Sequence, residues 1–382
     1  MTTTAPVATR ANTLAVAATY GLQGLGYAVV VTALPAFQER TGLDATGISL
    51  ILLGVCVTAA LGSLLADVIA LRLSSRHGVL IGLSLQAFGL CATALAPDTV
   101  TLAASVLAYG LGLGLIDAAC NMQGVLVQRG RATPLLGRFY ATATSGSIIG
   151  AVAMAGVLAT GTQAFAALGI AAALQVAFVV FFGRHLSRER AARPHRQAPG
   201  RGRLDARAIT VVGLVILAAF TVDSAASSWS AVHLTAVGAA AALAPVGFAV
   251  YQGGVLVARL VTDAAIRAIG RRRLLAVALV AGVAGGLIVA FAPVAAGAIA
   301  GFAISGLAVG ALVPLAFGLA GGIDPARSDE VIARVNLFNY AGAVLGAVGV
   351  GVLTDLTGSG LAFLLPAALL LVAVPAWRRA PR

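Results

Sequence analysis

Two carboxylates stand inside long apolar runs of this chain, and charged groups in such surroundings are where chemistry is first sought. Asp117 lies in YGLGLGLIDAACNMQGVLVQRGR, with Asn121 one helical turn further on the same face. At about 1.5 Å per residue, it sits only about 6 Å from the middle of its run, toward the arginine-bearing end. A carboxylate at that depth must be protonated, paired or facing water, so reversible proton binding is the chemistry it offers. Gln123, two residues beyond Asn121, is read as lining the same polar cavity.

Asp223 is the second acid, in FTVDSAASSWSAVHL, with Ser227 and Ser230 at i+4 and i+7. Two readings stand for it: an acid satisfied by neighbouring hydroxyls, or a solute contact and second protonation site. Trp229 and His233 approach a membrane surface, where a tryptophan serves as an interfacial anchor. All six tyrosines fall in apolar runs, and Tyr27 and Tyr140 are taken as cavity candidates, with packing or the interface as the competing reading. Asn336 and Asn339 complete the solute-contact set.

Other chemistries are excluded by what is missing. Every one of the 25 basic residues is arginine, so a P-loop lysine and a lysine Schiff base are ruled out. Four histidines, two of them in one polar segment, form no metal or catalytic cluster, and no cofactor, metal or enzymatic activity is expected. Cys56, Cys91 and Cys120 fall in apolar runs as small hydrophobes. GLGLGL follows no strand and is no dinucleotide fingerprint. No arginine is placed inside a span, which argues against a carrier built around a phosphate or carboxylate clamp.

The elements that must hold these residues are membrane helices. With 60% hydrophobic residues, 10% charged and a mean hydropathy of +0.99 over 382 residues, the chain is a polytopic membrane protein. Its one long polar stretch, Gly183–Arg207, carries eight arginines with Pro194, Pro199, Gly200 and Gly202, and reads as a basic linker. It divides the chain into bundles at 1–183 and 208–382 joined by 184–207. Six spans are expected in the first: Asn12–Phe37, Ala45–Ile69, a third from about Gly78 to Ala96, Thr99–Val127, Phe139–Thr160 and Ala164–Phe182. Six more follow: Ala208–Leu234, Ala240–Thr262, Leu274–Ala292, Ala295–Gly322, Val335–Leu356 and Leu361–Trp377. With the N-terminus inside, 24 arginines, Arg259 among them, are assigned to the cytoplasm and only Arg40 to the outside. The net charge of +12 is thus explained by topology, without a nucleic-acid partner. Both termini are cytoplasmic, the membrane is the inner one, and a monomer is expected.

A shift of 196 positions superposes unlike landmarks without a gap. Asp67 falls on Asp263, Arg76 on Arg272, Pro97 on Pro293 and Arg138 on Arg334, while Gly42, Gly110, Gly114, Gly146 and Gly150 fall on Gly238, Gly306, Gly310, Gly342 and Gly346. Parallel repeats of this kind build transporters around a central cavity. Asp117 falls on Val313, so the acid belongs to one half only.

SLLADVIALRLSSRHG after the second span and ARLVTDAAIRAIGRRR after the eighth resemble the loop motif of the major facilitator superfamily, the second copy through Asp263, Arg267, Gly270, Arg271 and Arg272. In the first copy Ser63 and Ala70 stand where that family usually has glycines. DAACN at Asp117–Asn121 and SGSIIGA at Ser145–Ala151 resemble the fucose-permease-like branch, whose acid on the fourth span is implicated in proton coupling. Two departures stand out: the first span has no acid, and Tyr140 replaces a frequent histidine. The resemblance implies twelve transmembrane helices in two six-helix bundles and proton-coupled, alternating-access transport of a small, uncharged polar solute. It also implies a cytoplasmic gate from Asp67, Arg76, Asp263, Arg267, Arg271 and Arg272, although these charges equally set topology and cap helices. The alternative function is export of metabolites or drugs by proton antiport.

Overall fold

The computed structural model describes residues 9–128, 135–189, 204–324 and 327–378. The middle of the basic linker, Arg129, Arg131, Arg379 and Arg382 lie outside them. The described residues contain helices and no strand, as hydrocarbon demands, because there each segment must satisfy its own backbone N–H and C=O groups.

In chain order the helices are α1 (Arg10–Thr32), α2 (Leu34–Thr41), α3 (Ala45–Arg72), α4 (Ser75–Leu95), α5 (Thr99–Gln128), α6 (Leu136–Ala159) and α7 (Phe165–Phe181). After the linker come α8 (Ala206–Ala236), α9 (Ala244–Ile269), α10 (Arg271–Phe291), α11 (Ala295–Ile323), α12 (Ser328–Val344), α13 (Val350–Thr357), α14 (Ser359–Ala362) and α15 (Leu364–Arg378). Ten helical stretches among the described residues are long and apolar enough to cross a membrane. Two shorter apolar ones, Phe165–Phe181 and Ser359–Val374, stand where the sixth and twelfth spans are expected.

Three expected spans are interrupted. The first breaks at Ala33, and Pro35 sits in the opening turn of α2, where a missing N–H is harmless. The eleventh passes through a π-helical segment at Leu345–Gly349 before resuming as α13. Trp229 donates its indole N–H to the Ala347 carbonyl there at 2.9 Å. That tryptophan is 1% exposed, so it is a buried brace and no interfacial anchor. The twelfth is split between α14 and α15.

Arg40 also departs from a purely topological charge. Its Nη1 and Nη2 donate to the carbonyls of Ala94 and Thr93 at 2.9 and 2.7 Å, and its guanidinium lies 3.9 Å from the Phe165 ring centroid. It therefore caps the negative end of α4, a favourable place for a cation. At the next turn Asp98 accepts from the Thr101 N–H at 2.9 Å, which holds its carboxyl below the usual range.

Two compact units divide the chain: Met1–Leu43 with Ile51–His195, and Asp44–Leu50 with Arg196–Arg382. Within each unit the same glycines mediate the same close helix contacts. In the first, a Cβ on Gly110 or Gly114 of α5 would meet the backbone of Val55 or Ala59 on α3, and one on Gly146 or Gly150 of α6 would meet Gly21 or Leu25 on α1. In the second, Gly306 and Gly310 of α11 meet Tyr251 and Val255 on α9, and Gly342 and Gly346 meet Leu217 and Thr221 on α8. All eight contacts obey the 196-residue shift on both sides. Small residues at these crossings let backbones approach where lipid offers no hydrophobic drive to associate. Gly42 and Gly238, also related by the shift, both adopt positive φ (67° and 80°).

Candidate functional site

The polar face of the first unit is built where α1, α5 and α6 meet. The glycine-mediated approach of α6 to α1 brings Tyr140 beside Tyr20, with ring centroids 5.6 Å apart and edge to face, while Tyr20 stacks on Phe139. Asn121 Oδ1 accepts two phenolic hydroxyls, from Tyr20 at 2.7 Å and Tyr140 at 2.8 Å. Its Nδ2 donates to the Asp117 carbonyl at 3.0 Å. The amide is thereby fixed in one orientation.

Gln23 of α1 donates to Asp117 Oδ1 at 2.9 Å. Among the described residues it is the only side-chain donor to that carboxylate. Asp117 and Tyr140 are both exposed, so the acid faces open space with a phenol ring on the same face. Tyr27, two turns along α1 from Tyr20, is half-buried. A carboxylate with one neutral donor and an open side can bind a proton without breaking an ion pair.

Gln123 is not on this face. It is fully buried; its Nε2 donates to Ser75 Oγ at 2.8 Å and to the Ser187 carbonyl at 2.9 Å, and its Oε1 accepts from the Ser187 N–H at 3.0 Å. The side chain pins the start of α4 and the segment after α7 to α5.

In the second unit Tyr251 of α9 donates to Asp223 Oδ1 at 2.6 Å, and Arg259 lies on the same helix two turns further on. Arg259, counted among the cytoplasmic arginines, lies inside the continuous helix Ala244–Ile269 and within the expected eighth span Ala240–Thr262, so the premise that no arginine occupies a span does not hold. Ser227 and Ser230 do not extend an open face from Asp223, because they are 3% and 0% exposed. Asn336 and Asn339 are half-buried on α12, and no hydrogen bond holds either side chain among the described residues. His233 is buried, with Nδ1 3.1 Å from Ser359 Oγ and its ring edge-on to Phe302 and Phe363.

The gate candidates are at helix ends. Asp67, Asp263, Arg267, Arg271 and Arg272 are exposed and Arg76 is half-buried. Asp67 and Asp263 form no ion pair among the described residues. Gly270, at φ 81°, makes the turn that separates α9 from α10. No group of three potential metal ligands occurs among the described residues.

Repeated bundles of apolar helices with carboxylates on polar faces describe a multi-pass membrane protein of the transporter class. The Major Facilitator Superfamily profile matches residues 16–291, and the chain belongs to that family of membrane transporters. It is 25% identical over 366 residues to an uncharacterised MFS-type transporter of Yersinia pestis, covering 94% of each chain. It is 24% identical to the membrane protein MosC of Rhizobium meliloti, covering 92% of this chain and 85% of that one. Solved folds agree at lower identity: the nucleoside transporter NupG superposes with TM-score 0.72 at 16% identity, over 96% of this chain and 98% of the other. A POT family transporter in complex with a thioalcohol-conjugated peptide superposes at 0.77 and 12% identity, over 95% and 94%.

Tyr20, Gln23 and Tyr251 complete the two carboxylate sites and were not among the expected cavity residues. A neutral amide in an apolar helix, three residues from one tyrosine and four from another, was the signal for Gln23.

Proposed function

We propose that this protein is a proton-coupled secondary active transporter of a small, uncharged polar solute, working by alternating access with twelve spans in two six-helix bundles. The observation that carries this reading is the open carboxylate of Asp117, which among the described residues takes its one side-chain hydrogen bond from Gln23, beside the Asn121–Tyr20–Tyr140 cluster. Protonation removes the penalty of an unpaired charge in the membrane and so biases which conformation is favoured. Asn121, Tyr27 and Tyr140 offer the solute hydrogen bonds and ring faces, with Asp223, Asn336 and Asn339 as contacts from the second unit. Asp67, Arg76, Asp263, Arg267, Arg271 and Arg272 form the cytoplasmic gate, engaged only in the conformation closed on that side. The arginine distribution supports an inner-membrane orientation with both termini cytoplasmic. The DAACN run supports kinship with the fucose-permease-like branch. The protein functions as a monomer in lipid, exchanging only solute and protons.

Arg259 favours a second reading. An arginine on α9, the helix whose Tyr251 meets Asp223, suits a solute bearing an anionic group, and export by proton antiport uses the same carboxylates. The deciding experiment is uptake into proteoliposomes of solutes selected by a thermal-shift screen, with and without an imposed pH gradient. Accumulation that follows the gradient in the parent and vanishes in Asp117→Asn supports the reading. Undiminished accumulation in that variant removes Asp117 from the mechanism.

A further inference from the structure

The first unit carries a groove that shares no residue with the Asp117 face, at the corner where α2 and α4 end and α6 turns into α7. Its volume is about 850 Å³, and residues of that unit alone line it. Sites that hold a small ligand span roughly 300–1,000 Å³. The mouth is polar, with Glu39, Arg40 and Gln163, and the wall is apolar, with Leu95, Leu158 and Phe165. The carbonyls of Thr93 and Ala94 and the Phe165 ring fix the Arg40 guanidinium at this mouth. Those two hydrogen bonds leave donors over, and Nε–H has no acceptor among the described residues. Glu39 is exposed and forms no ion pair among the described residues, with Arg40 or with any other cation.

A fixed guanidinium with donors to spare suits a phosphodiester. A free carboxylate next to it suits an ammonium and repels a headgroup of net negative charge. Beyond the mouth, Phe88, Cys91 and Leu95 recur at i, i+3 and i+7 on one face of α4, and Phe88 and Leu95 are 64% and 82% exposed. Within a membrane such a face is covered by hydrocarbon chains, which are as apolar as leucine. Shifted by 196 positions, Glu39 and Arg40 fall on Thr235 and Ala236, so the duplicated fold does not call for charges at this corner. We propose that the groove binds a glycerophospholipid with a zwitterionic headgroup. Its phosphodiester accepts the N–H groups that Arg40 leaves free, its ammonium lies against Glu39, and an acyl chain follows the Phe88–Cys91–Leu95 face. Recognition of this kind joins a charged pocket between helices to the surrounding bilayer. It rests on membrane insertion and on neither the solute nor the proton, so its test is independent of both.

Cys91, exposed in the groove, is the reporter. The experiment measures its alkylation by N-ethylmaleimide in detergent-purified protein carrying Cys56→Ala and Cys120→Ala, with added dioleoyl phosphatidylethanolamine, dioleoyl phosphatidylglycerol or dioleoylglycerol at equal mole fraction. The phosphoethanolamine lipid is expected to slow alkylation about tenfold, and the other two to leave it unchanged. Glu39→Gln should extend protection to the phosphoglycerol lipid, and Arg40→Gln should raise the lipid needed for half-protection about tenfold, as for loss of a charge-assisted hydrogen bond. Arg40→Gln also uncaps α4, so Gly169→Leu serves as a second variant: nothing lies within 4 Å of a Cβ at that lining position, and the larger side chain enters the groove. Its ratio of alkylation rates with and without the phosphoethanolamine lipid should fall to about one while the melting midpoint holds, and it decides the matter alone if Arg40→Gln does not fold. Equal protection by all three lipids overturns the proposal, because the wall then binds chains without reading a headgroup. Protection that survives in folded Arg40→Gln and Gly169→Leu overturns it as well. Slowing that follows protein concentration in the absence of lipid also overturns it, with a second copy of the chain as the occupant.

Discussion

Gln23 Nε2 lies 2.9 Å from Asp117 Oδ1, so the one carboxylate on the open face of α5 is positioned from α1 rather than from its own helix. A neutral amide can follow the carboxyl through either protonation state, because it offers both a donor and an acceptor. Arginine in its place would lock the acid as a charge.

Replacing that amide therefore weakens coupling without abolishing the fold. Gln23→Leu is expected to reduce uptake driven by a pH gradient about tenfold, as for loss of a hydrogen bond to a charged group. In an Asp117→Asn background the same substitution has no further effect, because the two act as one unit. Proteoliposome uptake across the four-member cycle measures this, and additive losses would separate the residues.

Gln123→Leu has a different signature. Its three hydrogen bonds join α5 to Ser75 and Ser187, so the loss falls on stability. Leaving these buried groups unpaired costs about 1–3 kcal/mol each. Thermal melting in detergent should fall markedly, while the solute affinity of the protein that remains folded is unchanged.

The contrast between Asn121 and Gln123 shows what the sequence can and cannot tell. Four residues from Asp117 return to the same helix face, whereas six residues lie about 240° around it, so helical spacing alone separates the two. Residue polarity had grouped them together. The same geometry puts Trp229 away from Asp223 and into the packed interior. The glycine landmarks were legible because close backbone approach tolerates no side chain, which repeats a rigid pattern in both halves. Gln23 and Tyr251 were hidden because each meets its acid from another helix, across 94 and 28 residues of chain. The π-helical segment at Leu345–Gly349, whose Ala347 carbonyl accepts the Trp229 indole N–H, does not show in the apolar run from which the eleventh span was read.

Tyr251→Phe deletes the 2.6 Å hydrogen bond to Asp223 while keeping the ring. If Asp223 and Tyr251 form a solute contact, affinity should fall about tenfold with the response to the pH gradient intact. An altered gradient response with normal affinity would instead make Asp223 a second protonation site. Binding isotherms and gradient-driven uptake on the same preparation separate these outcomes.

The repeat also makes a prediction about packing. Gly146 and Gly342 occupy equivalent crossings, against Gly21 and Leu217, and an added Cβ would strike backbone carbonyls that cannot rotate away. Gly146→Ala and Gly342→Ala should each destabilise the protein by about 1–3 kcal/mol, the usual penalty of overpacking. Gly156 and Gly169, on α6 and α7, have nothing within 4 Å of an added Cβ, so alanine there should be neutral or slightly stabilising. Melting midpoints of the four variants test the assignment. Equal midpoints throughout would mean that these crossings are looser than the shared 196-residue pattern requires, and the match between the two units would then no longer reflect a constraint of close helix contact.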